Sequence, residues 1–119
     1  MSNITRIEIG RRLSRAVIHN GTVYLAGVTA NECGEDIKGQ IRQVLTKIDQ
    51  CLAKSGTNKS HLLTAQIWLK DIARDFEDMN EVWDKWTAQN AAPTRATAQC
   101  EMASPDVLVE IIVTAAVSP

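Results

Sequence analysis

Three features of the 119-residue sequence predict an α+β fold. An Asn20-Gly21 pair sits between two β-rich runs, two segments carry apolar residues at helical spacing, and a stretch near the carboxy terminus alternates with a period of two. The order strand, hairpin, helix, strand, helix, hairpin places two helices on one face of a mixed sheet.

Each element has a local reason. Residues 4–9 alternate like a short strand, and the runs 16–19 and 22–26 flank Asn20-Gly21, the strongest two-residue hairpin signal. Ile37, Ile41, Val44, Leu45, Ile48 and Leu52 recur at helical spacing, with Asp36 as N-cap and Gly56 as C′ residue, so the first helix covers residues 36–55. Residues 61–69 are rich in Leu, Ile and Trp without clean alternation, which predicts a strand covered on both faces. Asp75 is expected to cap a second helix, whose apolar stripe is Phe76, Met79, Val82, Trp83 and Trp86.

The last third alternates from Thr94 to Met102. Thr94, Ala96, Ala98, Cys100 and Met102 make one small face, and Arg95, Thr97, Gln99 and Glu101 make a polar one. Arg95 is thus expected to point away from the helices. Residues 107–117 are apolar on both faces, interrupted chiefly by Glu110, a carboxylate that is costly there unless paired or functional. If residues 103–106 form a hairpin turn with Met102 opposite Val107, Glu110 falls opposite Gln99, on the same face as Arg95 and roughly 13 Å from it. The sheet face away from the helices is partly apolar and has no covering element, so a second copy of the chain is its natural cover.

Composition narrows the function. One domain spanning residues 1–119 is expected from the length. Lys and Arg number 13 against 14 for Asp and Glu, which leaves no positive excess for a phosphate backbone, so nucleic acid is not an expected partner. No run of about 20 apolar residues is present, and residues 1–10 are polar and mixed; a cytoplasmic chain without a membrane partner or leader is expected. Cys33, Cys51 and Cys100 are odd in number and show no CxxC or Cys/His spacing, so neither a disulfide framework nor a metal site is expected. Cys51 and Cys100 read as buried thiols, and Cys33 as an exposed turn residue.

GxGxxG, P-loop, GxSxG and HExxH motifs are all missing. His19 and His61 are isolated and read as strand-edge or surface residues. Asp71, Asp75, Glu77 and Asp78 gather at a helix N-terminus, where carboxylates complement the dipole. Asn80 follows Phe76 by four and precedes Trp83 by three, which sets an amide on or beside the buried stripe, either as a satisfied buried group or as part of a site.

These residues carry a resemblance. Pro93-Thr94-Arg95-Ala96-Thr97, then a Pro105-Asp106 turn and Val107-Leu108-Val109-Glu110-Ile111, resembles the carboxy-terminal signature of the RidA/YjgF family of reactive-intermediate deaminases. Asn20-Gly21-Thr22-Val23-Tyr24-Leu25-Ala26-Gly27 resembles its amino-terminal hairpin. Leu69-Lys70-Asp71 with Phe76, Met79 and Asn80 resembles its central segment. The resemblance covers residues 4–117.

It implies a chorismate-mutase-like α+β fold assembled as a homotrimer around its sheets, with active sites in the clefts between subunits. It also implies cofactor-free hydrolysis of small 2-imino and enamine acids to 2-keto acids and ammonia. Arg95 would bind the substrate carboxylate, Glu110 would orient or activate water, and Asn80, Thr97, Leu13, Ala26 and Gly27 would line the pocket. Three of these depart from the best-known members: Leu13 stands where a tyrosine is usual, Thr97 where a cysteine is, and Ala26 where a serine is. A regulatory trimer that only binds small acids is the alternative. Some relatives bear the names endoribonuclease or translation inhibitor, a third reading that would need an RNA surface.

Overall fold

The computed structural model describes residues 3–119; the first two residues of the amino-terminal stretch read above for a leader lie outside it. The chain runs β1 (Thr5–Ile9), β2 (Ser14–His19), β3 (Thr22–Leu25), α1 (Ile37–Lys54), a 3-10 turn (Lys59–His61), β4 (Leu62–Leu69), α2 (Ile72–Trp86), β5 (Thr94–Gln99) and β6 (Val109–Ala116). Six strands form one sheet in the order β1-β2-β3-β6-β4-β5. All neighbours are antiparallel except β4 and β5, which α2 connects as a parallel pair. Both helices pack on one face, so the α+β reading holds.

Local chemistry accounts for most boundaries. Asn20 and Gly21 both take positive φ, 51° and 78°, as a two-residue hairpin turn between β2 and β3 requires. The Asp36 side chain accepts from Gly39 N at 2.9 Å and starts α1, and Gly56 at φ 79° ends it, as expected. Ile37, Ile41, Val44, Leu45, Ile48 and Leu52 are all buried against the sheet. At roughly 1.5–3 kcal/mol per buried apolar side chain, this face outweighs any cap at about 1 kcal/mol. Gln40 shares the stripe and is fully buried. Its Nε2 donates to the carbonyls of Cys33, Glu35 and Asp106, and its Oε1 accepts from Leu108 N. One side chain thereby ties two loops to α1.

Several expectations are corrected. The N-cap of α2 is Asp71, which accepts from Arg74 N at 3.1 Å. Asp75 lies inside the first turn and is buried, with both carboxylate oxygens held by Arg74 at 2.9 and 2.8 Å. β4 is not covered on both faces: Leu62, Ala65, Ile67 and Leu69 are buried, while Leu63 is 45% exposed. β5 ends at Gln99 rather than Met102. The three cysteines are free and half-buried alike, and Cys33 Sγ donates to Ala30 O.

The largest correction concerns the carboxy-terminal strands. β5 and β6 do not form a hairpin, because β4 lies between them. Glu110 is opposite Trp68, not Gln99, and Gln99 is opposite Leu69. The physical reason is burial: in the centre of the sheet the apolar β6 is covered on its inner face, and the half-polar β5 occupies the edge.

Candidate functional site

Strand register decides where the candidate side chains go. Residues directly opposite one another in a sheet share a face. Arg95 is opposite Ala65, which is opposite Val113; Ala65 and Val113 are 3% and 1% exposed beneath the helices. Arg95 therefore points toward the helix layer, contrary to the expectation from alternation alone. Its guanidinium carbon lies 5.9 Å from the ring centroid of Phe76 and 5.8 Å from that of Trp83, both on α2. Small size opposite Arg95, at Ala65, leaves room for this on an edge strand.

Asn80 shares the α2 face that carries those two rings, four residues after Phe76 and three before Trp83. Thr97, two residues beyond Arg95 on the same side of β5, is opposite the fully buried Ile67. Asn80 Oδ1 and Thr97 Oγ1 are both buried and have no hydrogen-bond partner among the described residues. Among the described residues no carboxylate lies within ion-pair distance of Arg95. One corner between α2 and β5 thus holds a half-buried cation and two buried polar atoms without partners among the described residues, and buried polar atoms are seldom left unmet.

Glu110 belongs to a different corner. Its cross-strand neighbours Trp68 and, beyond it, Ala98 lie on the face away from the helices. There its carboxylate rests on the backbone of Gly27, where a Cβ would stand 2.0 Å from Oε2. The bend that brings Gly27 there comes from an irregular ladder: Tyr24 pairs with Thr114, but the next contact is the Val28–Ile111 bridge, so four residues on one side face three on the other. Ala26 N donates to Arg15 O at 3.0 Å and begins this bend. Leu13 follows at the same end of the sheet, 52% exposed, in a shallow cleft with Glu8, Arg11, Arg12 and Arg15.

The candidate residues therefore fall into two groups. Arg95, Thr97 and Asn80 share the helix side of the edge strand; Glu110, Gly27 and Ala26 share the opposite face, with Leu13 beyond them. Two strand spacings and three residues separate Arg95 from Glu110, about 14 Å between backbones, with their side chains directed to opposite faces. The expectation that both project from one surface is corrected. Phe76 and Trp83 were legible in the sequence only as core stripe; their spacing of four and three around Asn80 is the signal that also marks them as the bed of Arg95. A cleft of about 660 Å³ beside the β5–β6 connection, lined by Lys70, Cys100, Met102 and Pro105 among others, includes none of the candidate residues.

An α+β chain with two helices on one side of a six-stranded mixed sheet defines a structural class. The comparisons place the chain within it. The sequence profile of the family described as Endoribonuclease L-PSP matches residues 3–117. A RutC family protein of Haemophilus ducreyi is 44% identical over 97% of each chain, and the RutC family protein YoaB of Escherichia coli is 43% identical over 96% of this chain and 98% of its own. The crystal structure of a YjgF family member from Neisseria meningitidis superposes with a TM-score of 0.95 at 38% identity, covering 98% of this chain and 97% of that one. The chain belongs to the RutC/YjgF (endoribonuclease L-PSP) family. A more distant relative, 33% identical over 72% of this chain and 48% of its own length, is named Reactive Intermediate Deaminase A, chloroplastic, of Arabidopsis thaliana.

Proposed function

We propose that the chain hydrolyses small 2-imino and enamine acids to 2-keto acids and ammonia, in a site completed between copies of the chain in a homotrimer. The observation that carries this reading is the Arg95 guanidinium, laid over Phe76 and Trp83 with no carboxylate partner among the described residues. A guanidinium grips a carboxylate through two parallel N–H donors, and a partly desolvated one does so more strongly.

The chemistry needs one further group. With the substrate carboxylate on Arg95, Glu110 takes a proton from water as the oxygen bonds to the imine carbon. The proton passes to nitrogen to give the carbinolamine, whose hydroxyl proton then moves to the amine as the C=O bond forms and the C–N bond breaks, and ammonia leaves. An enamine first gains a proton at carbon and releases one from nitrogen to become the imine. Glu110 of the same chain, about 14 Å away on the opposite face, does not meet a substrate of a few heavy atoms on Arg95. A Glu110 group from a neighbouring copy does, and the half-exposed β5 edge with the open sheet face offers the surface for such a neighbour. In that arrangement Leu13 and Ala26 widen the wall near the substrate side chain and favour bulkier or more apolar imino acids.

The test generates 2-imino acids with an amino-acid oxidase and traps them with semicarbazide. The protein should lower trapping, Arg95→Ala and Glu110→Ala should each abolish the effect, and mixed oligomers of the two variants should recover part of it. Equal trapping with and without the wild-type protein for every side chain overturns the deaminase reading and leaves acid binding without turnover. No recovery in verified mixed oligomers places both residues of one site on one chain.

A further inference from the structure

The unpartnered atoms beside Arg95 differ in what they ask of a ligand. Thr97 Oγ1 carries a proton it can donate, and the guanidinium is donor only, so both suit a carboxylate. Asn80 Oδ1 is an acceptor only, buried and without a donor. On α2 it follows Phe76 by four and precedes Trp83 by three, the two rings over which the guanidinium sits, so the acceptor and the carboxylate anchor share one helix face.

A ligand that satisfies this corner carries a carboxylate and, on the adjacent carbon, an N–H. We infer that Asn80 Oδ1 accepts a hydrogen bond from the α-nitrogen of the bound acid, so that the site selects 2-imino, iminium and enamine acids over 2-keto acids. This rests on the reading of Arg95 as the carboxylate anchor. The consequence is directional. The substrate nitrogen donates to Asn80, whereas the product carbonyl presents a lone pair to the same oxygen, so the product is held less well than the substrate it replaces.

Two planar acids of nearly equal shape separate the two effects. Pyrrole-2-carboxylate sets an N–H beside its carboxylate, and furan-2-carboxylate sets an oxygen there. By isothermal titration the assembled protein should bind the pyrrole acid about tenfold tighter or more, from one buried hydrogen bond gained against one acceptor left facing another. Asn80→Ala should bring the ratio near one by weakening the pyrrole acid alone. The isosteric Asn80→Asp, which keeps the acceptor and the shape, should retain the preference while weakening both probes. Arg95→Ala should lose both.

Equal affinities in the wild type, a preference for the furan acid, or an unchanged ratio in Asn80→Ala overturns the inference. Any of these leaves the deaminase reading standing, because that is decided by semicarbazide trapping. Should neither acid bind while trapping is still suppressed, the inference falls and the reading survives; should trapping also be unaffected, both fall.

Discussion

Replacing Gly27 by alanine adds one carbon where Glu110 has left no room. The new Cβ would lie 2.0 Å from Oε2, 3.0 Å from Cδ and 3.3 Å from Cγ of that side chain, whereas ordinary contact begins at 3.4 Å. The carboxylate oxygen must therefore retreat by about 1.4 Å, the difference between 3.4 and 2.0 Å. Gly27 is not among the residues with positive φ, so the backbone itself accepts alanine, and the loss of unfolded-chain freedom offsets part of any packing cost. A displacement near 1 Å of a group that must meet water and substrate together costs on the order of 100-fold in turnover. Semicarbazide trapping should show that loss, the urea midpoint should stay close to that of the wild type, and 2-keto acid binding at Arg95 should persist. Glu110→Asp shortens the side chain by one methylene and relieves the contact. Gly27→Ala combined with Glu110→Asp should then be no slower than Glu110→Asp alone, a strongly non-additive result. Turnover within twofold of wild type in a folded Gly27→Ala oligomer would show that the placement of Glu110 against Gly27 has no part in catalysis.

Gln40→Leu keeps the volume but strands three carbonyls and the Leu108 N–H, and at about 1 kcal/mol per hydrogen bond it should cost about 4 kcal/mol. Urea unfolding reads this directly, and a loss under about 1 kcal/mol would mean that water replaces the side chain in these loops. Between the helices, the hydrogen bond from Lys38 at 2.8 Å holds the Glu81 carboxyl below its ordinary value of 4.5, and the Lys38 ammonium is pushed up from 10.5 by the same bond. The tie is complete between those two ordinary values, fades as pH falls through the lowered carboxyl pKa, and fades again as pH rises through the raised ammonium pKa. Glu81→Gln should accordingly narrow the gap between urea midpoints at neutral pH and near pH 3, slightly because both groups are open to solvent; an acid dependence equal to that of the wild type would show that the pair contributes nothing.

Period and punctuation made the elements legible, since both are local. Six apolar positions at helical spacing locate α1, and Asn20-Gly21 locates the first hairpin to the residue. The cap of α2 was misread because Asp71 and Asp75 are equally good N-cap types four residues apart. What separates them is that Asp71 remains outside the helix, while Asp75 turns inward onto Arg74. Gln40 was legible in principle, as a polar residue three after Ile37 and four before Val44. Its partners at Asp106 and Leu108 are distant in the chain, and periodicity holds no trace of them.

Strand order is the step where local reasoning stops. Two alternating runs joined by a short turn rich in Pro and Asp read naturally as a hairpin, and in that arrangement Arg95 and Glu110 share a face. Inserting β4 between them moves the partner of Glu110 from Gln99 to Trp68, a register change of one across the sheet, and a change of one exchanges the faces. The consequence is chemical rather than cosmetic. On one face, roughly 13 Å apart, the two would stand beyond ion-pair distance yet front a single surface of one chain. Turned to opposite faces, Arg95 rests on Phe76 and Trp83, and Glu110 rests on Gly27, neither with an ion-pair partner among the described residues. On the proposed function, this separation assigns the Arg95 and Glu110 of one site to two different chains, which is what the mixed oligomers test.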